Sequence, residues 1–211
     1  MPDRPNQRTG SECKVTPAMD KEKNSAGSVV VISGPSGVGK SSICQQLAAK
    51  LTDCYLSVSF TTRPKGTNEI NGRDYWFVSK QEFARQLEAG GLLEYAEVFD
   101  NLYGTPKAAV EQALKAGKTV ILEIDVEGAK QIKAKYADAE LIFILPPSQK
   151  ELLQRMSLRA REDAESAEKR LDNADDEIAG AWQYYDHMVI NDDLHHAVDE
   201  VAQIIATNTR R

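Results

Sequence analysis

The chain has 211 residues, 41% of them hydrophobic and 27% charged, a balance that suits one water-soluble domain with a real core and excludes a fibre or a wholly disordered chain. A formal net charge of −6 excludes a general binder of nucleic acid or of anionic membranes, both of which need a basic surface. No stretch reaches the roughly 18 apolar residues of a spanning helix, and no secretion-signal series opens the chain, so the expected setting is the cytoplasm, without a membrane partner.

Along the chain, residues 1–26 carry Pro, Asn, Ser, Lys and Glu with almost no large apolar side chain. They are expected to form a disordered extension, because they bury too little surface to offset the entropy of ordering. Asp3, Glu12, Asp20 and Glu22 disfavour a transit peptide there. The β-branched run Val29 to Ile32 predicts a strand buried on both faces. After a glycine-rich turn, Ile43, Leu47 and Leu51 give a helix one apolar stripe. Further on, Thr105 and Pro106 cap a predicted helix that ends before Gly117, and Thr119–Ile124 and Leu141–Leu145 read as buried strands. Ser148 and Glu151 have capping-box spacing, Met188–Ile190 is a fourth short strand, and a last helix starts near Leu194.

Strands alternating with helices predict an α/β fold, a doubly wound parallel sheet with helices on both faces. The polar, turn-rich stretch Thr62 to Tyr103 breaks that rhythm and reads as an inserted substrate-binding lobe, with one helix from Ser79 to Ala89. The core then comprises about 27–61 and 104–211. Residues 159–177 carry dense charge, the pattern of a solvated helix face. Cys13, Cys44 and Cys54 are odd in number and lack ligand spacing, so free thiols are expected. His187, His195 and His196 likewise lack metal-ligand spacing and suit capping or solvent-facing positions.

Directly after the first strand stands Gly34-Pro35-Ser36-Gly37-Val38-Gly39-Lys40-Ser41, a full Walker A match that opens a helix. Glycines let backbone N–H groups converge on phosphate oxygens, and the helix aims its positive end at the same anion. With Ser42 these residues form the candidate ATP cradle, in which Lys40 brings a charge to the β and γ phosphates and Ser41 a hydroxyl for Mg²⁺. Glu123 and Asp125 lie two apart, on one strand face at the sheet's carboxyl edge. One can aid Mg²⁺ hydration while the other faces an acceptor; the alternative is a pair that merely caps the next helix. Asp125-Val126-Glu127-Gly128 also supplies the short Asp-x-x-Gly string of switch GTPases, but no Asn/Thr-Lys-x-Asp guanine motif occurs in the chain.

Ser57-Val58-Ser59, Thr61-Thr62-Arg63, Glu69, Gly72, Asp74-Tyr75, Glu94 and Tyr103-Gly104-Thr105 resemble the guanylate kinase family. The likeness runs from about Val29 to Ile205 and includes Glu123-Ile124-Asp125, Pro146-Pro147-Ser148, Arg155, Arg159, Arg170 and Asn191-Asp192-Asp193. It implies a P-loop core, a GMP-binding lobe at about 62–103 and a lid at about 159–166. By position, Ser59, Glu94, Thr105 and Glu123 would address guanine, while Arg63, Tyr75 and Tyr103 would hold its phosphate. Arg159 and Arg170 would sit with Lys40 at the transferring group, Arg170 also touching the GMP side. Arg155 and Asn191 would lie on the ATP side, and Asp125 would join Ser41 at Mg²⁺. One departure stands out: the family's second phosphate-gripping arginine is absent from Arg63-Pro64-Lys65-Gly66-Thr67-Asn68-Glu69, leaving Lys65 as its candidate substitute.

Physical chemistry supports these roles. Guanine presents N1–H and N2–H₂ side by side, so one carboxylate accepts from both, whereas adenine offers no such pair on that edge. Phosphoryl transfer needs positioning and charge neutralisation, which arginine forks supply. The implied reaction moves the γ-phosphoryl group of ATP to GMP, and to dGMP, in a monomer or small homo-oligomer. The competing readings are a non-catalytic interaction module of the same fold and a kinase for another nucleoside monophosphate.

Overall fold

In the computed structural model, which describes residues 27–159 and 177–208, the β-branched run becomes β1 (Ser28–Ser33), whose last five residues are all buried. Its neighbours are β7 (Thr119–Glu123) and β8 (Glu140–Leu145), and the edges are β2 (Cys54–Leu56) and β9 (His187–Ile190). Among the described residues every ladder of this sheet is parallel, in the order β2-β7-β1-β8-β9.

Strand alternation distributes the core over two faces. Val30, Ile32, Ile121, Ile142 and Ile144 point one way, against α1 (Lys40–Lys50), α5 (Gln149–Arg159) and α7 (Leu194–Asn208). Val29, Val31, Val120 and Leu122 point the other way, against α3 (Lys107–Lys115) and α4 (Val126–Lys135). The doubly wound arrangement anticipated from the sequence is present. α1 stops at Lys50 with Leu51 as its C-cap, yet Leu51 still packs on the core. The strand expected to reach Ile124 stops at Glu123, because Asp125 begins the next helix.

Between β2 and α3 lies a second, mixed sheet of order β4-β3-β6-β5, built from β3 (Phe60–Thr61), β4 (Trp76–Phe77), β5 (Leu92–Val98) and β6 (Asn101–Pro106). Ser79 caps α2 (Lys80–Glu88), its side chain accepting from Glu82 N, and Ser148 Oγ likewise accepts from Glu151 N at 3.1 Å. Residues 177–181 form α6. Cys44 and Cys54 are free. The expected extension 1–26, Cys13, Arg170 and the lid beyond Arg159 lie outside the described residues. Among those described, no helix is long and apolar enough to cross a membrane.

The sheet holds the site by clamping β1 between helix layers, so packing on α1 should matter most. Leu47 is fully buried there, and Leu47→Ala is expected to destabilise the fold by about 2–5 kcal/mol through lost transfer energy and a cavity, read as a lower urea midpoint.

Candidate active site

β1 ends at Ser33, and the chain turns through Gly34 to Gly39 into α1. Gly39 is left-handed at φ 106°, caps α1 without a side chain, and the first helical turn carries no acidic residue. The helix therefore keeps unsatisfied N–H groups and its positive end for an anion. A Cβ on Gly39 would also collide with Asn191 Nδ2. That buried amide donates to Val38 O at 2.8 Å, and Arg155 Nη1 donates to Asn191 O at 3.1 Å and Val38 O at 3.4 Å. Asn191 and Arg155 thus grip the loop's own backbone.

Lys40 Nζ folds onto the loop, donating to Gly34 O at 2.6 Å and Pro35 O at 3.0 Å. Ser41 Oγ donates to Glu123 Oε1 at 2.7 Å. Asp125 turns elsewhere: it is the N-cap of α4, its Oδ1 accepting from Gly128 N at 2.7 Å. Burial pushes the Asp125 carboxyl up, with the Gly128 N–H opposing. The capping alternative is what Asp125 does, while Glu123 is the carboxylate that meets Ser41.

On the other side, β5 carries one extra residue against β6 between Leu92 and Tyr95. Such a bulge breaks strand alternation, and Leu92, Leu93 and Glu94 are buried in succession. Glu94, 4% exposed, receives the Thr105 hydroxyl on Oε1 at 2.6 Å. Burial pushes its carboxyl up to about 7, against the pull of that hydrogen bond and with Asp125 adding to the rise. The sequence assigns Thr105 and Pro106 to capping α3; in the structure Pro106 holds the cap position without a side-chain bond, and the Thr105 hydroxyl is committed to Glu94.

A cavity of about 550 Å³ joins the two sides. Gly34, Ser36 and Lys40 line it from the loop, Glu94 and Tyr103 from the second sheet, Ser59, Arg63 and Tyr75 from the segments flanking its short strands, with Glu123 and Asp125 between. Arg63 Nη1 and Nη2 hold Glu69 at 3.0 and 2.6 Å, and its guanidinium lies 5.6 Å from the Tyr75 ring centroid and 5.7 Å from that of Phe77. Tyr75 and Tyr103 meet edge to face at 5.8 Å. Lys65, by contrast, is not among the lining residues; its Nζ donates to Glu69 O at 2.9 Å and Gly66 O at 3.4 Å within its own turn. Gly37, Val38 and Ser42 belong to the loop and the first turn of α1, and Arg159 ends α5.

Sequence reasoning missed Glu177 and the β5–β6 hairpin residues Ala96, Val98, Phe99 and Asn101, all of which line the cavity. Burial pushes the Glu177 carboxyl up to about 7, with Lys40 opposing. In the sequence Glu177 is one acid among many in a charged run, and no spacing singles it out.

A glycine loop between strand and helix, beside carboxylates at the carboxyl ends of parallel strands, is a nucleotide-phosphate site. The family model described as guanylate kinase matches residues 26–208. The chain belongs to the guanylate kinase family. It is 43% identical over 185 residues to a guanylate kinase of Symbiobacterium thermophilum, covering 88% of this chain and 87% of that protein. A Clostridium perfringens guanylate kinase is 45% identical over 183 residues, covering 87% and 84%. The crystal structure of a guanylate kinase from Anaplasma phagocytophilum superposes with a TM-score of 0.76 at 32% identity, covering 89% of each chain.

The raised carboxyl of Glu94 fixes the sign of a pH effect. Its folded value of about 7 exceeds the ordinary 4.5, so the folded state holds the extra proton between them and stability falls as pH rises through that window. Glu177 acts in the same direction. Glu94→Gln is therefore expected to lessen the decline, with its advantage over the parent greatest above pH 7. Urea midpoints at pH 5 and pH 8 read this, and equal declines in both proteins would contradict it.

Proposed function

We propose that this protein transfers the γ-phosphoryl group of ATP to GMP, giving ADP and GDP, and that it takes dGMP, which shares the guanine edge, by the same site. The reaction would serve purine nucleotide metabolism in the cytoplasm. One observation carries the reading: a complete phosphate loop and the buried carboxylate of Glu94 face a single cavity. The intact loop argues against a purely non-catalytic module, and a desolvated acceptor-only group argues against an acceptor base that brings no paired donors.

ATP would lie with its phosphates at the head of α1, where the backbone N–H groups of Gly34 to Ser41 and the Lys40 ammonium receive them. On this reading Lys40 exchanges the carbonyls of Gly34 and Pro35 for phosphate oxygens as the nucleotide enters. The oxygen donors Ser41 and Glu123 suit the hard Mg²⁺ ion. No group of three or more His, Cys, Asp or Glu among the described residues could hold a metal alone, so phosphate oxygens and water would complete its shell. When bound, the ion neutralises charge on the β and γ phosphates. We assign Glu123 to the metal side and Asp125, capping α4 beside Glu94, to the base side, the opposite of the division that the resemblance implies.

Guanine would rest against Glu94 and Ser59, with Thr105 acting from behind through its bond to the Glu94 carboxylate, and its phosphate against Arg63, Tyr75 and Tyr103. Glu69 holds the Arg63 fork in place beforehand, so less entropy is lost when a phosphate arrives. The described lining carries four carboxylates, Glu94, Glu123, Asp125 and Glu177, against the two cations Lys40 and Arg63. Further positive charge must come to two nucleotides, and we assign it to Mg²⁺ with Arg159 and Arg170. Arg155 and Asn191 act on ATP through the loop they brace.

The reading is tested by ADP release with GMP, AMP, CMP and UMP as competing acceptors. GMP should dominate, and Glu94→Gln should lower the GMP-over-AMP ratio of kcat/KM by at least about tenfold; an unchanged ratio would mean that guanine is read elsewhere. Because Lys65 is engaged with its own turn, Lys65→Ala is expected to leave KM and kcat for GMP within about twofold, less than 0.5 kcal/mol. A larger loss would show that the ammonium swings to the phosphate during turnover.

A further inference from the structure

Helix α4 meets β5 along one stripe. Gly128, Gln131 and Lys135 stand at i, i+3 and i+7 of the helix, on a single face. Gln131 Nε2 donates to Tyr95 O at 2.8 Å, and its Oε1 accepts from Tyr95 N at 3.3 Å. Lys135 Nζ donates to Leu93 O. Two side chains of the helix thus hold the strand on either side of Glu94, at the bulge that turns that residue inward.

At Glu94 itself the helix offers no side chain. An ideal Cβ on Gly128 would stand 2.6 Å from Glu94 Oε2, 3.1 Å from its Cδ and 3.2 Å from Asp125 Oδ1. The first is closer than carbon and oxygen tolerate without movement, and the other two are tight. Glu94 could move only by loosening its bond from Thr105, made at 2.6 Å, or by tilting into the cavity. Gly128 lies inside α4 and is not among the glycines with positive φ, so backbone conformation does not call for glycine. Glycine is a poorer helix former than alanine. A residue that weakens its helix without a conformational reason is there for the space it leaves.

We propose that Gly128 is a specificity-determining position: its missing side chain sets the depth and tilt of the Glu94 carboxylate for guanine's paired donors, while Gln131 and Lys135 fix the strand that carries it. The inference rests on the reading that Glu94 recognises guanine. Gly128 is a positioning residue here, acting on the acceptor through Glu94 alone.

The test is steady-state kinetics of the full chain carrying Gly128→Ala, with GMP and ATP varied in turn. KM for GMP should rise about tenfold, KM for ATP should stay within about twofold, and the melting temperature should hold or rise, as alanine is the better helix former. In a Glu94→Asp background, whose carboxylate is drawn back by one methylene, Gly128→Ala should change KM for GMP by less than about twofold, because the collision is gone. A general disturbance of α4 would carry the same penalty in both backgrounds. Equal penalties, or a KM for GMP within twofold of the parent after Gly128→Ala alone, would overturn the proposal while leaving Glu94 as the guanine reader. Loss of that underlying reading has a separate signature, an unchanged GMP-over-AMP preference in Glu94→Gln. Should Gly128→Ala not fold, Gln131→Met carries the test by freeing the Tyr95 backbone: KM for GMP should rise about threefold or more with KM for ATP unmoved, and an unmoved KM for GMP would overturn the proposal.

Discussion

Taking the Glu94 carboxylate out of water costs several kcal/mol once it is ionised, and the acceptor side of the molecule is arranged around that cost. The bulge in β5 turns the side chain inward, Thr105 gives it one hydrogen bond, and its carboxyl rises to about 7. What remains unsatisfied is acceptor capacity. A ligand that brings two adjacent N–H groups relieves it, and a ligand that brings none leaves the cost standing. Selectivity of this kind comes from the acceptor capacity that remains after the one bond Thr105 supplies.

The donor side follows the opposite logic. α1 begins with a bare glycine cap and no acidic residue, so its N–H groups and positive end wait for an anion. Lys40 is parked on two loop carbonyls, and Asn191 with Arg155 brace the loop through Val38 O. One side of the cavity is short of donors and the other of acceptors. The two meet at the end of β7, where Glu123 faces Ser41 and Asp125, two residues on, starts the helix that backs Glu94.

The core was legible in the sequence because β1 has no polar face: Val29 to Ile32 cannot be an edge or a one-sided strand, and a Walker loop directly after it fixes both the next helix and the carboxyl edge of the sheet. The short elements were not legible. β3 and β4 have two residues each, too few for any periodicity to register, and β2 is a half-buried strand of three. Within the site, the phosphate loop could be read from spacing alone, whereas Glu94 depended on family resemblance. Its burial comes from a one-residue irregularity in pairing, and pairing is a property of two strands that neither sequence segment displays. The division between Glu123 and Asp125 is illegible for a similar reason: two apart in the sequence, they fall on one strand face, and which of them becomes a helix cap depends on where the strand stops. In the sequence Gly128 stands only as part of an Asp-x-x-Gly string, since the space it leaves is visible only once Glu94 stands opposite.

The seam between α4 and β5 has a mechanical consequence. Gln131 and Lys135 tie the inner half of β5 to a helix that is itself packed on the central sheet, so that half of the strand is anchored to the core. The outer half, from Ala96 onward, lies beyond the residues that these two side chains hold. Bending of the second sheet would therefore meet its resistance at Leu93 and Tyr95, on either side of Glu94. On the proposed reading, the base would meet a carboxylate anchored to the core, and any motion on closure would fall to the groups proposed to hold the phosphate. A wrong base would then be turned away at the open stage, where rejection requires no reopening.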